Sequence, residues 1–204
     1  MSESATDVVV RRIHLVHGYV LGVTTELTED QLARRLTPTA TPLGWHLWHL
    51  SRWADVLHAS NPNRAFVPDV PWDPGRQIWR VEKLAARWGL RPERLGILET
   101  GAGMADDDAA EIPRVGRDAL LDYARRAFGA ADDAVVKLAT VAQEDRGSIQ
   151  EYTIDREQRE VAAASGARVS VVADLVFHLS HANRHLGMIE ALRGLLDLRG
   201  TATA

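Results

Sequence analysis

The stretch Phe177-His-Leu-Ser-His-Ala-Asn-Arg-His-Leu-Gly-Met-Ile-Glu-Ala-Leu192 decides the fold. Its apolar residues Leu179, Leu186, Ile189 and Leu192 extend a series begun at Val172, Leu175 and Val176. The spacing predicts one helix over about 169–198, ended by Gly200. At about 100° per residue, His181 and His185 fall on one face a turn apart, about 40° from each other. His178 shares that stripe, beside Leu175 and Ile189.

Working outward, three more long helices are expected. Val9, Ile13, Val16, Val20 and Val23 recur at spacings of three and four, which predicts an amphipathic helix over about 7–27. A second starts near Thr41 or Pro42, residue types suited to an N-cap and a first turn, and runs to His58. A third covers about 116–141, with Leu120, Tyr123, Ala127, Ala131, Ala134, Val135 and Leu138 as a narrow stripe for close packing. The architecture expected is all-α: a four-helix bundle with long crossover connections, forming a single domain over 1–204. Residues 62–113 form an irregular insertion. Pro62, Pro68, Pro71, Pro74 and Trp72 read as an ordered loop, 76–88 as a helix, and 96–110 with Asp106–Asp108 as a flexible surface connection. A short strand or hairpin is expected around Ile149, Tyr152 and Ile154.

Composition narrows the function classes. The chain has 204 residues, 46 % of them hydrophobic and 25 % charged, enough for a sizeable core. Twenty-four basic against 28 acidic residues give a net charge of −4, so a nucleic-acid footprint is not expected. With no cysteine there is no disulfide, thiolate nucleophile or thiolate metal site. No signal-peptide layout opens the chain, and no run approaches the roughly 20 apolar residues of a membrane span, so a cytoplasmic location is expected. Lys83 and Lys137 are its only lysines, and this arginine and alanine bias points to a GC-rich bacterial gene.

The eight histidines carry the chemistry. They fall into three groups: His14 and His17; His46, His49 and His58; His178, His181 and His185. Imidazole is the commonest metal ligand, and a pair at i, i+4 plus one histidine from a facing helix would supply three nitrogens. Open coordination positions would remain for water or substrate. The alternative for each is a hydrogen-bonded core histidine, the plainer reading for His14, His17 and His58, and spacing alone does not separate the two for His181 and His185.

The last helix resembles that of the DinB family, also called the DinB/YfiT-like metalloenzymes, in which a His-x3-His-x-Gly pattern is met here by His181, His185 and Gly187. The segment Gly44-Trp-His-Leu-Trp-His-Leu-Ser-Arg-Trp-Ala-Asp55 is similar to the family's second helix, which supplies the third ligand; His49 matches that position. The resemblance implies a divalent metal site, nickel or zinc, held by His49, His181 and His185, in a homodimer. His46 and His178 are then outer-shell or substitute ligands. It further implies a thiol-dependent S-transferase or isomerase, using a low-molecular-weight thiol such as mycothiol on a small electrophile. Alternatives are a hydrolase with metal-activated water and a non-catalytic metal or ligand binder. Trp45, Trp48 and Trp53 are candidate pocket walls, with core packing as the plainer reading. Arg52 and Arg184 are candidate carboxylate holders, with solvent exposure as the plainer reading. No catalytic residue is assigned.

Overall fold

The computed structural model describes residues 4–59, 74–144 and 171–199. Among them there is no strand, and the chain is all-helical. The helices are α1 (Ala5–Thr25), α2 (Glu29–Ala33), α3 (Leu43–Ala59), α4 (Ile78–Val81), α5 (Leu84–Arg87), α6 (Asp106–Glu111), α7 (Arg117–Glu144) and α8 (Val171–Leu195). The four long ones form a ring: α3 packs along α7, α7 along α1, α1 along α8, and α8 closes on α3.

Local chemistry sets the ends. Ser4 starts α1 with a capping box, its hydroxyl accepting from the Asp7 N–H while Asp7 accepts from Ser4. Thr28 and Gln31 repeat the device on α2. At the far end of α1, Arg117 donates to the carbonyls of Leu27 (2.7 Å) and Thr25 (2.5 Å), and Arg193 donates to Val23. Two guanidinium groups thus satisfy carbonyls that the helix leaves orphaned and oppose its negative dipole end.

The predicted stripes face the core. Ile13, Val16, Val20 and Val23 of α1 meet Leu120, Tyr123, Ala124, Ala127, Ala131 and Val135 of α7, all buried. The alanines let these backbones approach. α3 buries nearly its whole circumference. Thr41 is not its cap: the Thr41 hydroxyl bonds His46, while the Pro42 carbonyl accepts from the Trp45 N–H at 3.0 Å.

The insertion is more ordered than its composition suggests. The helix expected over 76–88 is broken into α4 and α5 at Lys83, whose φ of 52° lies in the left-handed region. The expected flexible connection contains α6. Asp106–Asp108 form its first turn, where carboxylates favour the positive dipole end, and Asp107 and Asp108 pair with Arg35 and Arg94. The proline-rich loop around Trp72, the strand or hairpin near Ile149–Ile154 and the stop at Gly200 lie outside the described residues.

Candidate metal centre

At the seam of α3 and α8, His49, His181 and His185 each present one ring nitrogen, all three within 4.8 Å of one another. His49 Nε2 and His181 Nε2 stand 3.1 Å apart. Two nitrogens on one tetrahedral ion with bonds near 2.0–2.1 Å stand about 3.3 Å apart, so the spacing suits a shared ion.

The far sides of two of these rings are taken. His49 Nδ1 donates to the Thr100 carbonyl, and His185 Nδ1 lies 2.9 Å from His46 Nδ1. His46 Nε2 in turn meets Thr41 Oγ1 at 3.0 Å. With His185 protonated on Nδ1, the protons are ordered along the chain: His185 Nδ1–H donates to His46, and His46 Nε2–H donates to Thr41. That leaves Nε2 of both His49 and His185 without a proton, His49 Nε2 facing His181. Outer partners that fix a ring's tautomer and orientation are the usual support of a metal-binding histidine.

Electrostatics agree. Burial, reinforced by the charges of His49, His185, His178 and Arg184, pushes His181 down to about 2. Burial and Arg184 lower His185 to about 4, and burial and His185 lower His46 to about 3. Near neutral pH these imidazoles are uncharged, the form a metal requires. Three converging nitrogens with two oriented rings fit a divalent ion that prefers imidazole.

Aromatic rings wall the group. Trp45 stacks on His49 at 4.6 Å and 12°, Trp53 stands edge-on to His181 at 5.6 Å, and Phe177 lies parallel to His181 at 6.2 Å.

A scan against protein families matches the DinB superfamily over residues 12–189. The chain belongs to the DinB superfamily. No curated protein matches it significantly.

In this DinB-superfamily chain the remaining site candidates separate. His46 touches His185 and stands behind the group. His178 joins a different cluster: its Nε2 lies 3.1 Å from His17 Nε2, and His17 Nδ1 donates to Asp132 at 2.7 Å. His14 adds a bond to the Asp132 carbonyl, so α1, α7 and α8 meet there through a linear Asp–His–His chain. The buried His17 fits the plainer reading of a hydrogen-bonded core histidine, and what residue type did not reveal is that its partners are His178 and Asp132. His58, half-buried near Asp55, Arg76, Lys137 and Asp133, bonds to neither group.

Trp48 packs in the core against Trp79, with ring centres 5.8 Å apart. Arg184 is exposed, and its charge acts on His181 and His185. Arg52 is not on the surface: it is 0 % exposed, paired at 3.0 Å with an equally buried Asp55. It also donates to Gln77, Tyr123 and the carbonyls of Leu98 and Glu99. Asp55, one turn on, makes the burial tolerable, since a desolvated charge needs a bonded counter-ion. Neither Arg52 nor the Thr100 carbonyl was recognisable as part of this arrangement from residue type alone.

Proposed function

We propose that this protein is a metal-dependent enzyme that uses a low-molecular-weight thiol on a small electrophile, either transferring it as an S-transferase or adding and releasing it again as an isomerase. One observation carries the reading: His49, His181 and His185 converge as a three-nitrogen group that could hold a divalent ion. Such an ion supplies Lewis acidity, which favours the thiolate over a thiol of ordinary pKa near 8.5. The chain's own residues set the rest. His46 and the Thr100 carbonyl hold two donor rings in one tautomer, and Trp45, Trp53 and Phe177 supply apolar faces that exclude water and suit a small organic substrate. The absence of cysteine fits a sulfur nucleophile that arrives with a co-substrate. Nickel or zinc, a mycothiol-like thiol, a homodimer and a cytoplasmic location complete the proposal, and rest on family resemblance and composition; no helix among the described residues is long and apolar enough to cross a membrane.

The test is elemental analysis of tag-free protein, purified without chelators, beside His49→Ala, His181→Ala and His185→Ala. Near one nickel or zinc per chain, lost in all three variants, is expected. Metal refused on reconstitution by the parent protein refutes the reading. Loaded protein is then assayed for consumption of a thiol against model electrophiles; turnover that ignores the thiol and consumes water assigns a hydrolase instead.

A further inference from the structure

Between α5 and α6 the backbone does something unusual. Gly96, Leu98, Glu99, Gly101 and Gly103 all have positive φ, between 54° and 89°. For Leu98 and Glu99 that region is sterically unfavourable, and such conformations persist only where surroundings enforce them. The loop is closed on itself by Ile97 N–H to the Ala102 carbonyl (2.9 Å) and Gly101 N–H to the Leu95 carbonyl (2.7 Å).

What enforces it is α3. Three successive carbonyls of the loop, at 98, 99 and 100, point at two residues one turn apart on that helix. Arg52 donates to Leu98 (3.3 Å) and Glu99 (2.9 Å), and His49 donates to Thr100. Trp79 fixes the Glu99 side chain from the other side at 2.6 Å. Gly101 closes the contact: a Cβ there would stand 2.8 Å from Trp48 Cζ3, 3.0 Å from Trp45 Cζ2 and 3.1 Å from His49 Nδ1.

We propose that residues 95–104 are a positioning element for His49, and that Arg52 is the positioning residue that holds it. The Thr100 carbonyl keeps the proton on Nδ1 and turns Nε2 toward His181. Arg52 acts through the loop, by fixing the two carbonyls that precede the one His49 uses. This deepens the proposed function, since it rests on His49 being a metal ligand.

Two glycines give a matched test. Gly103 has a φ of 74° and open space where its Cβ would be, whereas Gly101 is crowded against His49. Gly101→Ala and Gly103→Ala therefore impose similar backbone strain, and only the first presses on the histidine. Zinc affinity is measured by chelator competition on the full chain. Gly101→Ala is expected to weaken zinc binding about tenfold or more, the scale of lost outer-shell support, and Gly103→Ala to stay within about twofold of the parent. Arg52→Lys keeps the charge beside Asp55 without the two-carbonyl fork, and is expected to fall with Gly101→Ala. Equal affinities for the two glycine variants overturn the proposal.

Long-range proton–nitrogen NMR on the metal-free parent needs no variant to fold. A His49 protonated on Nδ1 is expected, and an Nε2–H tautomer overturns the proposal whatever the affinities are. A parent chain that refuses zinc refutes the metal reading and this role for the loop together, while Nδ1 protonation would still establish the contact.

Discussion

A buried imidazole costs stability when it must compete with water for a proton. His46 and His178 fall to about 3, and His185 to about 4, all chiefly by burial. Their ordinary value is 6.5, so between these limits the unfolded chain binds protons that the folded chain refuses. Stability of the metal-free protein is therefore full above pH 6.5 and lost as pH falls toward 3–4. Urea midpoints should hold from pH 7.5 to about pH 6.5 and decline from there to pH 5, above the range where most carboxylates titrate; a profile flat down to pH 5 contradicts the buried-neutral assignment. His46→Ala should leave His185 Nδ1 without its partner and weaken zinc binding about tenfold, read by chelator competition. Unchanged affinity would deny His46 its supporting place. Much of this scale was legible, because His181 and His185 at i, i+4 must share a helix face. The Thr100 carbonyl was not, since every residue carries one and only backbone direction makes it a partner.

At the scale of elements, one carboxylate joins α3 to both α4 and α7. Asp55 accepts from Arg52 (3.0 Å), Tyr123 (2.9 Å) and the backbone N–H groups of Ile78 and Trp79 (2.9 Å each). It thereby caps α4 from another helix, where Gln77 at the N-cap position makes no side-chain capping bond and instead accepts from Arg52. Asp55→Ala strands a buried guanidinium and uncaps α4, and should cost about 3–5 kcal/mol in denaturant unfolding. A loss below about 1 kcal/mol would mean water replaces the carboxylate and the network is not closed. The long helices were readable because stripes such as Ile13–Val23 and Leu120–Leu138 repeat with the helical period. The pieces between them were not. A break at Lys83 and left-handed turns at Leu98 and Glu99 run against residue preference, and the carbonyls of Leu98 and Glu99 are held by Arg52, distant in sequence.

For the whole molecule, the histidine group ties two sides of the ring together, α3 and α8. An ion bound there binds the folded chain and not the unfolded one, so zinc at about 100 times its Kd should add about 2.7 kcal/mol. Thermal unfolding with and without a chelator reads this, and His181→Ala should abolish the difference. An equal shift in that variant would place the zinc elsewhere.

The two sides of the group also come from distant parts of the chain. His49 and His181 are 132 residues apart. During synthesis, His46 and His49 exist as a pair, three residues apart on one helix, well before the residues that complete the group. In the folded protein the two have different partners: His49 faces His181, and His46 is turned to Thr41 and His185. A ligand set that spans α3 and α8 is complete only once the two helices have docked, so its geometry belongs to the finished fold and to no single segment.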